Sequence, residues 1–510
     1  MRVKDTFRNS IVAVLAQVIL IVVGFFSRRV LNLVMGKELV GVNGVISNVI
    51  NLLSVTELGI STAIVYHLYA AVESEDESQI AALMNFYRRA YHVFACVITL
   101  IGLPILAVIP MFVKDSGFSD SFIRLVYGIW LVRTVLSYLL SYRRSLLVAD
   151  QKQYIVSIAT FTIDAVNHLL CIAILLIWHQ YVPVLVMNLA VEVAINLWLN
   201  RYVEQKYPYL RRDRKGMPQK AVFSRIIADV KNIFVARVST KLLTCTDNLI
   251  ISGLISAGAA GLYCNYSMIT QSVINVTQAL ANAIQPGIGH MFLEKDIEKN
   301  RHFLRQLTFL FFLIASVVLT CLNTLMTPFV TDLWLGDGYA LSDTAILFFS
   351  VNTAFLTLTL PLSVMMGVSG LFQRERVVAI GVAVVNLAVS LALVKPFGIA
   401  GVMAGTLASY LIQFVLRYHY FFREFVHLDG KGFAADMLEY VGLAAAEMAA
   451  VKALCGPIYG NGGILRFLFL LGTAALLPCL VNYLIFRKSR RYTETKQFAL
   501  EILHGMKKKA

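Results

Sequence analysis

A stripe of polar side chains runs along an otherwise apolar stretch of the sequence near residues 40–70. Its members recur every three or four residues: Asn43, Ser47, Asn51, Ser54, Glu57 and Ser61. A second stretch repeats the pattern with Ser267, Gln271, Asn275, Gln278, Asn282 and Gln285. At about 100° per residue, this spacing places each set on one face of a helix. The pattern predicts either a hydrogen-bonded contact between helices or the wall of a wet cavity, and the carboxylate of Glu57 favours the cavity.

Ionisable residues also occur inside the apolar stretches, where they could bind a charged ligand or a coupling ion. They are Arg28, Arg29, Glu57, Arg133, Asp164, His168, Glu192, Arg237, Lys241 and Asp247. A charged Arg, Lys or Asp costs about 2.5–3.5 kcal/mol at the centre of a membrane helix, so such residues normally face a cavity or pair with each other. Arg29 and Arg237 lie near the edges of their stretches and have the alternative of snorkelling to the membrane interface.

Two of these groups leave their roles open. Asp164, Asn167 and His168 share a helical face, and because an unperturbed histidine titrates near neutrality, they could form a proton relay. A structural, hydrogen-bonded histidine is the alternative. Glu192 lies between two asparagines at four-residue steps and fits an ion site and an inter-helix contact equally well.

The elements that position these residues must lie in a membrane. Residues of the AVILMFWYC set make up 58% of the 510 residues and charged residues only 15%, against about 25% charged in a soluble protein. Apolar runs long enough to span a bilayer fall at 10–35, 40–70, 83–112, 120–147, 154–178, 181–202, 229–255, 258–289, 303–328, 342–370, 376–396, 398–422, 434–455 and 464–486. The sequence therefore predicts an all-α integral membrane protein with about 14 transmembrane helices.

The basic residues predict the orientation of these spans. If the N-terminus is cytoplasmic, the even-numbered loops are cytoplasmic too, and the loop at 201–226 alone carries eight Lys and Arg residues. The opposite loops carry few. Because cytoplasmic loops are enriched in Lys and Arg, this asymmetry places both termini in the cytoplasm. It also accounts for the net charge of +15 without a nucleic-acid partner.

The two halves of the sequence resemble each other at an offset of 220 residues. This offset relates Gly41 to Gly261 and Ser47 to Ser267, and Asn167 matches Asn386 at nearly the same offset. Six spans in each half would give two lobes of the same orientation, a parallel repeat. We expect an N-lobe at 1–206, a basic linker at 207–228, a C-lobe at 229–424, an extra helix pair at 434–486 and a basic tail at 487–510. Residues 491–506 could form an amphipathic surface helix.

Signatures of covalent chemistry are missing from the sequence. The seven cysteines are scattered and form no zinc-type grouping, so we expect them to be buried hydrophobes, and we expect no metal site and no cofactor. There is no phosphate-binding loop, H-E-x-x-H or suitably placed G-x-S-x-G motif. The sequence therefore predicts a transporter rather than an enzyme, driven by an ion gradient or by downhill trapping of its substrate.

Several motifs resemble a known family. The stretch T-E-L-G-I-S-T-A-I-V-Y-H-L-Y at 56–69, the acidic turn at 73–77 and Y-R-R-A-Y at 87–91 resemble bacterial Wzx-type polysaccharide flippases. These form the polysaccharide transporter branch of the multidrug/oligosaccharidyl-lipid/polysaccharide (MOP) exporter superfamily. T-D-N-L-I-I-S at 246–252 and G-L-Y-C-N-Y-S-M-I at 261–269 are similar to that family's seventh and eighth spans. The resemblance covers essentially the whole chain.

The resemblance implies a function and roles for the candidate residues. It implies a V-shaped pair of lobes around a basic cavity that opens alternately to each side. An undecaprenyl-pyrophosphate-linked oligosaccharide would move from the inner to the outer leaflet of the bacterial cytoplasmic membrane. Polymerases and glycosyltransferases of the same pathway would be partners. The residues implied as anion contacts are Arg28, Arg29 and Lys241, and those implied as sugar contacts are Asn51, Gln271 and Asn275. Glu57 and Asp247 would lie in the same central cavity and hold those cations or bind a coupling H⁺ or Na⁺. Asp164 and His168, from their spacing, are the other candidates for ion coupling.

The extra helix pair resembles the part of lipid II flippases that offers the lipid tail a hydrophobic groove. This sequence departs from that pattern, because Glu439, Glu447 and Lys452 lie in the thirteenth span.

Two other classes of function stay open at this stage. One is an ion-coupled multidrug or metabolite antiporter of the same superfamily, and the other is a membrane-bound polymerase, ligase or scaffold, against which the short outer loops argue.

Overall fold

A computed structural model describes residues 2–54, 60–212, 216, 218, 245–293, 297–368, 372–426, 430–456 and 463–497. This part of the chain is almost entirely helical and contains no β-strand. Nine of its helices are long and apolar enough to cross a membrane. The predicted all-α, multi-pass membrane fold is therefore confirmed, as expected where every backbone N–H must be satisfied within its own segment.

The helices follow the predicted spans closely. Those of the first half are α1 (Arg2–Leu53), α2 (Ile60–Glu73), α3 (Glu77–Val108), α4 (Asp120–Ser141), α5 (Arg144–Ala149), α6 (Gln153–Trp178), α7 (Tyr181–Lys206) and α8 (Tyr209–Arg212). Those of the second half are α9 (245–254), α10 (Ala257–Leu293), α11 (Ile297–Pro328), α12 (Asp343–Val368), α13 (Phe372–Tyr420), α14 (Lys431–Cys455), α15 (Gly463–Phe486) and α16 (490–497). Short 3₁₀ or π turns extend α3, α11 and α13 at Ile109–Phe112, Phe329–Trp334 and Phe421–Val426.

Two of the long helices each contain a pair of predicted spans joined at a single glycine. Gly36 breaks α1 with φ 80°, and Gly398 breaks α13 with φ 59°. Glycine adopts a positive φ without the steric cost that a β-carbon would bring. One residue therefore suffices to turn the chain between spans one and two, and between spans eleven and twelve. Residues 229–244 of the predicted seventh span lie outside the described residues.

The chain divides into two compact units. One comprises residues 13–261, and the other comprises residues 262–510 together with the first twelve residues. We refer to them as the N-unit and the C-unit. The predicted linker at 207–228 lies mostly outside the described residues, so the lobe boundaries stay predictions.

Within the N-unit, α4 is packed between α3 and α7, and α6 packs against α7. The buried Tyr127 of α4 donates a hydrogen bond of 3.0 Å to the carbonyl oxygen of Gly102 in α3. Tyr87 donates one of 2.8 Å to Tyr91 one turn away. These bonds satisfy phenol hydroxyls that would otherwise be buried without partners, and the bond from Tyr127 fixes α4 against α3.

Gly41 on α1 and Gly261 in the first turns of α10, both within residues 13–261, mark a point where two stretches of helix approach backbone to backbone. A β-carbon at Gly41 would lie 1.9 Å from the carbonyl oxygen of Ala257, and one at Gly261 would lie 1.8 Å from that of Lys37. Both pairs, 37 with 257 and 41 with 261, are separated by the offset of 220. The contact is therefore reciprocal, as in a two-fold interface, and this is the arrangement expected of duplicated segments.

We predict that Gly41→Ala destabilises the protein by at least about 1–3 kcal/mol, because overpacking forces backbone shifts. Gly253→Ala is the matched control, since a β-carbon there meets nothing within 4 Å and alanine favours the helix. Thermal unfolding of both variants in detergent measures the difference. Equal stability of the two variants would contradict the close approach.

The C-unit is organised around α11, which packs against α12, α14 and α15. Its core is aromatic: Phe312 stacks on Tyr440 of α14 with ring centroids 4.5 Å apart, and Phe309 meets Phe486 of α15 edge to face at 5.0 Å. Thr320 adds a hydrogen bond of 2.8 Å to the carbonyl oxygen of Ala474. The extra helix pair is thus an integral part of the C-unit core.

The short helix α16 is held to the C-unit by charged side chains. Arg491 contacts Asp436 of α14 at 2.7 Å, and Arg305 of α11 contacts the other carboxylate oxygen at 2.6 Å. Arg490 donates a hydrogen bond to Glu494, which holds the pKa of that carboxyl below its usual value. The predicted surface helix at 491–506 is therefore present up to residue 497, and the rest lies outside the described residues.

We predict that Asp436→Asn destabilises the protein by about 3 kcal/mol, because it leaves two arginines beside a group with a 5% exposed side chain. Glu439→Gln is the control on the same helix: its side chain is 49% exposed and also contacts Arg491, so its loss should cost less than about 1 kcal/mol. Thermal unfolding and proteolysis of the C-terminal segment report the effect. Equal losses in the two variants would show that the buried pair does not anchor α16.

Candidate ion and head-group site

The predicted site residues fall in different parts of the structure. Glu57 and Lys241 lie outside the described residues, as does Arg237. Arg28, Arg29, Asn51, Asp164, His168 and Asp247 belong to the N-unit, and Gln271 and Asn275 belong to the C-unit. Most of the described candidate residues therefore lie in the N-unit, and their geometry indicates which ligands the site could bind.

Four helices of the N-unit bring ionisable side chains together. The Nε of Arg133 on α4 donates to Oε2 of Glu192 on α7 at 2.5 Å. Asp164 on α6 interacts electrostatically with both of these groups and with His168 one turn away, and His168 in turn interacts with Arg28 on α1. We call these five residues the charged cluster. It joins α1, α4, α6 and α7.

The charges of this cluster balance. Arg28 and Arg133 supply two positive charges, and Asp164 and Glu192 supply two negative charges, so these five residues are neutral when His168 is neutral. Arg144 on α5, which also interacts electrostatically with Glu192, adds one positive charge beside them. Asp164 is exposed and His168 is half-buried, whereas Arg133 and Glu192 are only 26% and 17% exposed. Protonation of His168 or Asp164, or loss of one partner, would leave a net charge, which is costly away from water. The cluster is therefore sensitive to a proton and to an anion.

Further polar contacts fix α7 against the chain around α5. Arg144 donates a hydrogen bond of 2.7 Å to Asn196, and Arg143 contacts Glu204 at 2.7 Å. The sequence left open whether Glu192 forms an ion site or a contact between helices. It forms an ion pair with Arg133 between α4 and α7, and the neighbouring Asn196 likewise forms a contact between α5 and α7. Residues 133 and 192 are 59 positions apart, so no local pattern could have paired them.

The polar stripe of α1 is divided between two environments. Asn43 is buried and accepts a hydrogen bond of 2.9 Å from the hydroxyl of Tyr181 at the start of α7. This member of the stripe therefore forms a contact between helices, not the wall of a cavity. Asn51 and Ser54 are half-buried, and Ser54 donates to the carbonyl oxygen of Ile50 at 2.9 Å. Ser47 is half-buried as well, so among the described members whose burial is known, Asn43 alone is closed to a ligand.

The remaining predicted residues differ in exposure. Arg29 is exposed and Arg28 is half-buried. Asp247 is buried on α9 with 6% of its surface exposed, so its carboxylate does not face lipid. In the C-unit, Gln271 donates a hydrogen bond of 2.9 Å to Asn275, and both side chains are exposed on α10.

Four of the five residues of the charged cluster have no ionisable counterpart in the second half of the sequence. At the offset of 219 that relates Asn167 to Asn386, Arg133, Asp164, His168 and Glu192 correspond to Asn352, Ala383, Leu387 and Leu411, whereas Arg28 corresponds to Asp247. The C-unit uses neutral hydrogen bonds instead: Asn352 donates to the carbonyl oxygen of Met403 at 2.9 Å, and Asn386 donates to Thr406 at 3.3 Å. The regions compared therefore differ in charge.

The fold is similar to that of several solved membrane transporters. The lipid II flippase MurJ in its inward closed conformation superposes with a TM-score of 0.68 and 12% sequence identity, over 94% of this chain and 99% of that chain. A multidrug resistance MATE family transporter in an inward-facing conformation gives 0.66 and 12%, over 79% of this chain and 93% of that chain. A MOP superfamily transporter from Pyrococcus furiosus gives 0.55 and 11%, over 83% and 95%.

These solved structures are transporters and flippases, and the likeness establishes the fold. No protein-family model and no curated protein matches the sequence. The expected superfamily fold is confirmed, whereas the Wzx-type branch stays a hypothesis.

We predict that Arg133 and Glu192 are energetically coupled. A double-mutant cycle with Arg133→Ala and Glu192→Ala should give a coupling of about 0.5–3 kcal/mol in thermal or denaturant unfolding. The control cycle uses Arg124 and Asp120 of α4, an exposed pair at 3.4 Å, for which we expect about 0.3–0.5 kcal/mol. Additive effects at 133 and 192 would show that the two side chains do not pair.

Proposed function

We propose that this protein is a flippase for a polyprenyl-pyrophosphate-linked oligosaccharide, the undecaprenyl form in a bacterium. It would move the head group from the inner to the outer leaflet of the cytoplasmic membrane, with both termini in the cytoplasm, and supply surface polysaccharide synthesis. Glycosyltransferases would load its substrate and a polymerase would use its product.

The observation that carries this proposal is the share of the chain that each structural likeness covers. Residues 1–424, the twelve spans before the extra pair, make up about 83% of the 510 residues. The likeness to the MATE transporter covers 79% of the chain, whereas the likeness to the lipid II flippase covers 94%. A match of that length must include much of α14 and α15. The extra pair therefore favours a lipid-linked substrate over a small soluble one.

The charges of the N-unit also support an anionic head group. A pyrophosphate cannot cross about 30 Å of hydrocarbon unaided, whereas its polyprenyl tail can stay in the lipid. Arg28 is half-buried, and among the described groups only His168, Cys171 and Tyr181 interact with it electrostatically. A guanidinium in that setting can bind phosphate oxygens in a bidentate manner. We assign Arg28 as the main anion contact, with Arg29 and Lys241 beside it in the proposed site.

Asp164 and His168 are the proposed site of ion coupling. They lie in a cluster whose charges cancel, so an arriving anion beside Arg28 favours uptake of a proton by His168 or Asp164. Glu57 and Asp247 are further candidates for a coupling H⁺ or Na⁺. Asn51, Gln271 and Asn275 are proposed to bind sugar hydroxyls.

The second candidate function is an ion-coupled multidrug or metabolite antiporter. It is favoured by the structural likeness to a MATE transporter and by the exposed carboxylate of Asp164, which would suit a cationic substrate. The purified protein should discriminate between the two: binding of organic cations with no binding of pyrophosphate lipids would support the antiporter.

We predict that Arg28→Ala leaves the protein folded and inserted but abolishes the appearance of lipid-linked glycan in the outer leaflet. Arg28→Lys should retain partial activity, because lysine keeps the charge but loses bidentate binding. The measurement is the accessibility of the lipid-linked sugar to an added lectin or glycosidase, in cells depleted of the native protein. Glu57→Ala should give the same loss.

Arg124→Ala is the control for general effects of removing an arginine. Arg124 has a 43% exposed side chain and pairs only with its own helix, at Asp120, so flipping should stay at the level of the unmodified protein. Wild-type flipping in both Arg28→Ala and Glu57→Ala would remove these residues from the mechanism.

A further inference from the structure

Glu447 is a fully buried carboxyl group in the middle of α14, away from the charged cluster. Only 2% of its surface is exposed. The polar side chains beside it are Ser316 of α11 and Asn482 of α15, which are themselves 0% and 3% exposed. Three helices of the C-unit thus enclose one carboxyl group, one amide and one hydroxyl.

The hydrogen bonds of this group are incomplete without a proton. The amide Nδ2 of Asn482 donates to Oγ of Ser316 at 3.1 Å. Both carboxyl oxygens of Glu447 and the amide oxygen of Asn482 are buried, and no donor of the described residues satisfies them. An ionised carboxylate beside an amide oxygen would leave several lone pairs unsatisfied in a low-dielectric setting, which native structures avoid.

The helices around Glu447 supply no compensating positive charge within the described part of the chain. The titratable groups nearest to it along the packed helices are Tyr440 and Lys452 on α14, Cys321 on α11, and Cys479 and Tyr483 on α15. The amine of Lys452 instead lies 3.8 Å from Asp343, and both side chains are largely exposed. Towards the other end of α14, Asp436 is engaged by Arg305 and Arg491.

We propose that Glu447 is a proton-binding site at the junction of α11, α14 and α15. The protonated carboxyl donates its O–H to Oδ1 of Asn482, which the structure leaves without a donor. The amide of Asn482 already donates to Ser316, and the hydroxyl of Ser316 donates to the carbonyl oxygen of Leu313 at 3.2 Å, so one added proton extends this chain of hydrogen bonds to Glu447. Binding forms one O–H bond on the carboxylate and needs no other reactant.

The site links a proton to the packing of the extra helix pair. A carboxyl group exposed to water ionises at neutral pH, so the proton is retained while α14 and α15 enclose Glu447 against α11, and it is released when water reaches the carboxyl. The packed state holds one proton more than the opened state. Rising pH therefore favours the opened state. This inference concerns the C-unit alone and does not depend on the identity of the substrate.

Infrared spectroscopy of the purified full-length protein in lipid nanodiscs tests the protonation directly. We expect the carbonyl-stretch band of a protonated carboxylic acid at neutral pH, shifted by deuterium exchange, and lost in Glu447→Gln. Glu439→Gln is the matched control on the same helix, since the exposed Glu439 pairs with Arg491 at 3.2 Å and should not contribute to that band. Identical spectra of the unmodified protein and Glu447→Gln would overturn the proposal.

The pH dependence of unfolding gives a second test. Glutamine at 447 can donate from its amide to Oδ1 of Asn482, so Glu447→Gln should keep that hydrogen bond and lose part of the decline in stability that the unmodified protein shows as pH rises. The same pH profile in both proteins would contradict a bound proton. If Glu447→Gln does not fold, Asn482→Leu serves instead, because removing the acceptor of the acid's O–H should move its carbonyl band to higher frequency, and an unmoved band would count against that hydrogen bond.

Discussion

The structure is governed by one constraint: an ionisable side chain in a membrane-spanning helix must find a partner, a proton or water. Arg133 and Glu192 satisfy it with an ion pair between α4 and α7. Asp436 satisfies it with two arginines, one of which, Arg491, anchors the C-terminal helix. Glu447 lies between neutral groups, so we propose that a bound proton neutralises its carboxyl group. The same constraint would apply to the proposed substrate, whose charged head group would need a polar route through the membrane.

The two units meet this constraint differently although their sequences are related. In the N-unit, the cluster around Arg133 and Asp164 carries balanced charge. In the C-unit, the corresponding region is neutral and held by amide and hydroxyl groups such as Asn352 and Asn386. When two related halves differ in this way, one half can bind charged groups while the other stabilises the fold. At Gly41 and Gly261, by contrast, the two backbones approach so closely that neither position has room for a β-carbon.

Much of the fold could be predicted from the sequence, because hydropathy and length determine which segments can lie in lipid. The breaks at Gly36 and Gly398 fall where the predicted spans meet, since glycine alone turns the chain there at little cost. The partners of the charged residues could not be predicted, because Arg133 and Glu192 are brought together only by the packing of α4 on α7. Asn43 shares the spacing of the polar stripe, yet it bonds to Tyr181, and helical periodicity does not distinguish a helix contact from a cavity wall.

The most direct test of the account is transport by the purified protein in liposomes. Two labelled substrates with the same polyprenyl tail and oligosaccharide are compared, one with the pyrophosphate and one with an uncharged linkage, and a membrane-impermeant glycosidase reports the leaflet of each. The account predicts rapid, protein-dependent movement of the pyrophosphate lipid and little movement of its uncharged counterpart. Equal rates for both, or no movement of either in liposomes that still accumulate organic cations, would contradict it.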